Sequence, residues 1–353
     1  MNLDLLFKML ETPSVSGYEL DFQKMLMKEM KDVDDTVITH PSYNTIHVIN
    51  PSSKVKVLLL AHIDEIGLVI EKVLDNGICK LANIGGIRPH MYLGQHVVVL
   101  HQNEDGTTSK INGVIGNNPE MTSGDLKVTH LNLDLGTSSK EATLQKVSIG
   151  DPVIHQASYH MLEENKLASR ALDDKIGAFI CTEVLKNVKG KTNNGVYFAA
   201  TVGEETTGRG AKFATSMVQP TISISLDVGS STDVRYRDNF TNEVSLGKGP
   251  IYTIASFANP ILSKKIKDCA KALHINLQPS VEISRTYTDM DNVYDKNGGI
   301  PSQLISIPLR YMHSSVEVCS LDDVKNIIDL LTKLIIDLNE NESFDPFDTK
   351  TNI

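Results

Sequence analysis

The sequence predicts an α/β protein: a mostly parallel mixed sheet with helices on both faces, interrupted by a small all-β domain. Three observations carry that reading. Short apolar strands alternate with amphipathic helices in both outer parts of the chain, the pattern of a parallel sheet covered on both sides. Val57-Leu58-Leu59-Leu60 is a continuous apolar run, as a strand buried on both faces requires. Between about residues 70 and 163, three-turn helical patterns vanish, and β-like pieces alternate with Gly, Asn and Asp clusters.

The elements follow in order. Leu3–Glu11 and Glu19–Met30 carry apolar residues at three-and-four spacing and predict two short helices, separated by the turn-rich Pro13-Ser14-Val15-Ser16-Gly17. Strands are expected over Thr36–Thr39, Thr45–Ile49 and Val55–Ala61, then, within the β domain, over Leu68–Leu74, His96–Leu100, Asn112–Ile115 and Pro152–Gln156. After Arg170 the alternation returns: helix Lys175–Val188, strand Val196–Thr201, helix Arg209–Met217 and strand Ile222–Asp227. Helix Ser263–His274, strands Ser280–Ile283 and Leu304–Pro308, and the long amphipathic helix Leu321–Leu338 complete the pattern. Asn339–Ile353 is polar and expected to be loose. The division this implies is an α/β domain over 1–69 and 164–353, with the β domain inserted over 70–163.

Composition narrows the function. The chain has 353 residues, 41% hydrophobic and 22% charged, which is globular rather than disordered. A formal net charge of −10 disfavours nucleic-acid and anionic-membrane surfaces. The apolar runs are far too short to span a bilayer. Asp4, Lys8 and Glu11 stand where a secretory signal would be apolar, so a soluble cytoplasmic protein is expected. Cysteines at 79, 181, 269 and 319 form no C-x-x-C pair. They read as reduced thiols, and any metal would be held by His and carboxylates.

In open α/β sheets, ligands sit beyond the carboxyl ends of the strands. Those ends are rich in metal-ligand types: His62-Ile63-Asp64-Glu65, Glu204-Glu205, Asp227, and His313 after Leu309-Arg310-Tyr311-Met312. Asp173-Asp174 opens a helix. Taken singly, each has an ordinary explanation, such as a satisfied core histidine, a helix cap, a solvated acidic pair or a turn aspartate. Together, two imidazoles and several carboxylates at one sheet edge are what a nitrogen/oxygen metal site needs. One arrangement gives a first ion His62, Asp173 and Asp227, and a second ion His313, Glu205 and the shared Asp173. Glu204 is left as a base for a metal-activated water. Asp64 can receive the His62 N–H and set its tautomer.

At these residues the chain resembles the glutamyl aminopeptidase and tetrahedral aminopeptidase family of dinuclear metallopeptidases. The matching stretches are Ala61-His62-Ile63-Asp64-Glu65-Ile66-Gly67, Asn112-Gly113-Val114-Ile115-Gly116 and Arg170-Ala171-Leu172-Asp173-Asp174-Lys175-Ile176-Gly177. Glu204-Glu205 with Gly210-Ala211, Gly247-Lys248-Gly249-Pro250, Gly299-Ile300-Pro301 and Arg310-Tyr311-Met312-His313-Ser314-Ser315-Val316-Glu317 follow in order. The resemblance implies a zinc-exopeptidase-like fold and two divalent ions, zinc or cobalt, per subunit. It implies removal of N-terminal residues from peptides, with His62, Asp173, Glu205, Asp227 and His313 as ligands, Asp173 bridging, Glu204 as general base and Asp64 supporting His62. It also implies that the inserted domain mediates dimerisation within a homo-oligomer, in many members a tetrahedral dodecamer; in related enzymes the bond corresponding to Asp173–Asp174 is often cis, which the sequence itself does not show. Thr206, Thr207 and Gly208, and Tyr287-Thr288-Asp289-Met290, depart from the family pattern and bear on pocket shape.

Rival readings remain at this stage. The same ions could serve a metal-dependent deacylase or amidohydrolase, or stabilise a non-catalytic oligomeric scaffold. A glycosidase would use paired carboxylates without metals and leave both histidines idle. Lys175, Arg285 and Arg310 could meet an acidic substrate side chain, though surface pairing suits each better. Gly190-Lys191-Thr192 lacks the upstream glycine of a P-loop, and neither G-x-S-x-G nor H-E-x-x-H occurs.

Overall fold

The computed structural model describes residues 1–117, 126–234 and 243–348. Its centre is four mutually parallel strands, in spatial order Gly195–Thr201, Lys56–His62, Ile222–Ser230 and Ser302–Arg310. Their residues are almost all buried, because helices cover both faces. Alternate side chains sort by face. Val57, Leu59, Ala61, Phe198 and Ile224 join the larger core with helices Leu172–Val188 and Leu321–Asp337. Leu58, Leu60, Tyr197 and Ala199 pack on the other side against Ala211, Ala214 and Val218 of helix Arg209–Val218.

Further strands, all but one paired antiparallel, extend this centre to eleven among the described residues. Thr45–Ile49 and Thr36–Thr39 lie beyond Gly195–Thr201; Glu317–Ser320, Lys166–Ser169 and Tyr159–Leu162 lie beyond Ser302–Arg310. Ile251–Ile254 pairs with Ser302–Arg310 and carries Gln278–Val281 beside it. The second sheet closes into a barrel in the order Gly67–Val73, Cys79–Ile84, Leu131–Asp134, Thr108–Asn117, His96–Gln102 and Pro152–His155. Leu68, Leu81, Val97, Val99, Ile115 and Leu133 fill its interior.

Several elements exceed the sequence expectation. Cys79–Ile84, Leu131–Asp134, Tyr159–Leu162, Lys166–Ser169, Ile251–Ile254 and Glu317–Ser320 are strands that short, polar-interrupted segments did not announce. The chain is back in the large sheet by Tyr159, a few residues before the expected resumption at 164. Helix Pro260–Ala272 begins ahead of the expected Ser263 because Asn259 caps it, accepting from the Ile261 and Leu262 N–H groups at 3.1 and 3.0 Å. Pro260 can occupy the first helical position, where no N–H is needed. The expected loose tail is anchored at Phe344, which is buried and whose carbonyl accepts from Asn259 at 2.9 Å; Phe347 beyond it is exposed, and 349–353 lie outside the described residues. No helix among the described residues is long and apolar enough to cross a membrane.

Parallel pairing aligns the strand ends that matter. Thr201 lies opposite His62, and Asp227 opposite Ser306. The Val202–Glu205 turn, Asp227 and the segment after Arg310 therefore emerge on one edge beside His62.

Candidate metal centre

His62 ends its strand fully packed, with Nδ1 3.0 Å from the Asp64 carbonyl oxygen. That contact leaves Nε2 pointing at Asp173 Oδ1, 3.0 Å away, with Asp227 Oδ1 at 3.9 Å. From the opposite side, His313 Nε2 lies 3.4 Å from Asp173 Oδ2 and 3.4 Å from Glu205 Oε1. The two imidazoles thus address the two separate oxygens of one carboxylate. Donor atoms of His62, Asp173 and Glu205 lie within 4.8 Å of one another, as do those of His62, Asp174 and Asp227.

The surroundings fix these side chains. Glu317 Oε2 accepts the Asp173 N–H at 3.1 Å and Oε1 the His313 N–H at 2.8 Å, so one buried carboxylate ties two loops together. The His313 backbone sits at φ 62°, a conformation that needs such an anchor. Its Nδ1 faces the Gly86 carbonyl at 3.1 Å, and a Cβ on Gly86 would come within 3.0 Å of the ring. Glu65, also buried, pairs with Arg170 and with Lys175 Nζ at 2.7 Å, clamping the segment that carries Asp173. Arg170 and Lys175 hold Glu65 near pH 2 against the upward push of burial. The Asp173–Asp174 peptide bond is cis. Asp174 Oδ1 accepts the Gly177 N–H, while its buried Oδ2 has no partner.

Asp64 is arranged differently from the sequence expectation. Its carboxylate lies 3.6 Å from His62 Nδ1, beyond hydrogen-bond range, and the ring meets the main-chain carbonyl instead. The carboxylate accepts the N–H groups of Glu204 and Glu205, at 3.0 and 3.3 Å. Asp64 therefore sets the turn that presents both glutamates. Helix Arg209–Val218 presses on that turn: the Gly210 N–H donates to the Val202 carbonyl at 3.0 Å, and a Cβ there would reach within 2.3 Å of Val202. Glu204 faces the cavity, and among the described residues nothing donates to its carboxylate.

The donor set carries more negative charge than it can hold unaided. Burial raises the Asp227 and Glu205 carboxyls despite the pull of the nearby histidines. Burial opposes charge on the imidazoles, but Asp173 and its neighbours outweigh it and raise both, His313 to about 11. Asp173, between the two rings, is pulled well below the usual carboxylate range although burial pushes the other way. Divalent cations would satisfy these lone pairs, and the buried Asp174 Oδ2, which has no partner, points to the same need. The residues present fit divalent ions bound through nitrogen and oxygen.

A cavity of about 620 Å³ opens from this cluster, lined by His62, Asp173, Glu204, Glu205, Asp227 and His313 at its base. A second, of about 420 Å³, meets it at Glu204, Glu205, Tyr287, Thr288 and His313. The departing residues Thr206, Thr207 and Gly208 line this second cavity, not the first.

A family model described as M42 glutamyl aminopeptidase matches residues 44–330. The chain belongs to the M42 glutamyl aminopeptidase family. It is 31% identical over 339 residues to a putative aminopeptidase of Acetivibrio thermocellus, covering 94% of this chain and 98% of that one. It is 30% identical over 341 residues to the lysyl aminopeptidase of Pyrococcus furiosus, covering 95% and 97%. The TET1 peptidase of Pyrococcus horikoshii, which can assemble into a tetrahedron or a large octahedral shell, superposes with a TM-score of 0.83 at 28% identity, covering 95% and 99%. M42 membership makes the chain a hydrolase of the aminopeptidase class with the mixed α/β architecture and small barrel described above.

All seven residues singled out in the sequence come together at this edge. Glu317, Glu65 and Asp174 were missed as parts of the arrangement. The signal was present, since all three lie within or beside the motif stretches, but Asp174 and Glu317 serve backbone N–H groups, and Glu65 serves buried cations far away in sequence.

Proposed function

We propose that the chain is a metal-dependent aminopeptidase that removes N-terminal residues from peptides. His62, Asp173 and Asp227 would hold one divalent ion and His313, Glu205 and Asp173 the other, zinc or cobalt as in the resemblance. The observation that carries this reading is the placement of the two Nε2 atoms against the two oxygens of Asp173. Bound there, divalent ions would polarise the scissile carbonyl and lower the pKa of water.

The chain's own groups do the rest. Glu204 takes the proton of the attacking water on a carboxylate oxygen and delivers it to the leaving amine. Asp64 holds Glu204 in place through its backbone N–H. The substrate's free α-amino group, which a blocked N-terminus lacks, would bind at one of the ions, and this would account for an exopeptidase rather than an endopeptidase. The peptide beyond the first residue leaves through the smaller cavity past Thr206 and Thr207.

We assign catalysis to 1–69 and 164–353, and the contact between copies to the inserted domain, 70–163. A cytoplasmic homo-oligomer, with a tetrahedral dodecamer as its form, accords with the relatives' assemblies and with four buried free cysteines.

Amino-acid anilides test the reading. Hydrolysis should stop in EDTA and return with zinc or cobalt, and N-acetylated anilides should be inert. Turnover that persists in EDTA would refute it. Preferential cleavage of acylated amino acids would favour the deacylase, and no cleavage anywhere in a peptide library the scaffold.

A further inference from the structure

The larger cavity is more than an access route. Away from the metal donors, its wall consists of hydroxyls and small apolar groups: Thr253, Ser280, Ser306 and Thr286 among Val244, Ile251 and Leu304. Among the described residues, one charged side chain stands in that wall, Glu282, half-buried just after strand Gln278–Val281. Its backbone N–H donates to the Ile254 carbonyl at 3.0 Å, and the Ser280 hydroxyl donates to Oε1 at 3.3 Å, so the carboxylate is positioned.

Among the described residues, no Lys or Arg lines this cavity. The three basic residues that the sequence places near the site are committed elsewhere. Lys175 is buried against Glu65. Arg310 forms a two-pronged pair with Asp233 at 3.0 and 2.8 Å. Arg285 pairs with Asp291 and lies 4.9 Å over the Tyr287 ring. Arg235 and Arg237 lie outside the described residues.

We propose that this cavity receives a basic N-terminal side chain, lysine or arginine, with Glu282 as the acceptor for its cation. The inference rests on the aminopeptidase reading and specifies its substrate class. A long aliphatic stem would pass Val244, Ile251 and Leu304 and bring an ammonium or guanidinium to the acid wall. A glutamate side chain there would meet a like charge with no counter-ion among the described residues.

The test compares Lys-, Arg-, Leu- and Glu-anilides on the metal-loaded protein and on Glu282→Gln and Glu282→Lys. Wild type should favour Lys and Arg over Glu. In Glu282→Gln the ratio of kcat/KM for Lys over Leu should fall about tenfold, the loss of one charge-assisted hydrogen bond. Glu282→Lys should invert the preference between Lys and Glu. A wild-type preference for Glu, or a Lys-to-Leu ratio indifferent to Glu282→Gln, overturns the proposal.

Binding separates this from a failure of the hydrolytic reading. If no anilide is cleaved, yet free lysine raises the melting temperature of metal-loaded wild type more than that of Glu282→Gln, the subsite stands and the peptidase reading falls. If lysine makes no such distinction either, the subsite falls with it.

Discussion

Glu204→Gln separates proton transfer from everything else at the centre. The substitution is nearly isosteric, and the backbone N–H to Asp64 Oδ1 at 3.0 Å survives it. Glu204 belongs to neither cluster of mutually close donor atoms, so metal content should not change. Burial pushes its carboxyl up, against the pull of His62 and with the push of Asp289 and Glu205. Its place in the cavity wall, with no donor to its carboxylate among the described residues, leaves it open to hold a proton between water and leaving amine. A positioned general acid–base contributes about 10²–10⁴-fold, so kcat should fall by that factor, equivalent to about 3–5 kcal/mol of barrier. The assay is kcat on an amino-acid anilide, paired with elemental analysis of the same preparation. Turnover within about twofold of wild type at full metal content would remove Glu204 from the role. Lost metal would instead make it a ligand.

Other changes probe other parts. His62→Ala and His313→Ala should each lower bound metal by elemental analysis, since each ring faces its own oxygen of Asp173; full occupancy in both would refute the ligand assignment. Glu317→Gln leaves one of two backbone N–H groups, of Asp173 or His313, without its acceptor. It should weaken metal binding about 10–100-fold in a competitive chelator titration, while unaltered affinity would limit Glu317 to a packing role. Glu65 titrates near 2 when folded, against 4.5 ordinarily. A depressed carboxylate gives stability that is fully present above about pH 4.5 and is lost as pH falls toward 2, about 3 kcal/mol in all. Thermal unfolding from pH 5 to pH 3 should therefore destabilise wild type more than Glu65→Gln; parallel curves would contradict the assignment.

The sequence made the centre legible because parallel strands end together. His62, Asp227 and the Glu204-Glu205 turn follow apolar runs that could only be buried strands, and the topological rule for such sheets places their next residues on one edge. His313 and Asp173 were legible from residue type and motif. The barrel was less so: Cys79–Ile84 puts the polar Asn83 on the same face as buried Cys79 and Leu81, with Lys80 beside Ala82 and Ile84 on the other, and Leu131–Asp134 is only four residues long, so neither carries a strong period. Glu317–Ser320 was hidden for another reason, since Glu317 reads as an exposed acid until the donors it serves are known.

Asp64 shows most sharply where residue spacing stops informing. Two residues from His62, it suggested a carboxylate to imidazole contact, and proximity in sequence did bring them to 3.6 Å. Yet the same turn offers the Asp64 carbonyl at 3.0 Å, and a neutral ring N–H is satisfied by that acceptor. The carboxylate, fully buried, needed donors of its own, and the Glu204 and Glu205 N–H groups supply them from 140 and 141 residues away. One short turn thus orients the His62 ring through its main chain and the paired glutamates through its side chain. Asp64→Asn tests that division. It should leave His62 in place and bound metal close to wild type, because the carbonyl remains. It should lower kcat through Glu204, because an amide can accept at only one of its two ends and would set an N–H₂ against a backbone N–H. Loss of metal without loss of Glu204 alignment, seen as an unchanged kcat once metal is restored, would return Asp64 to the role of a support for His62.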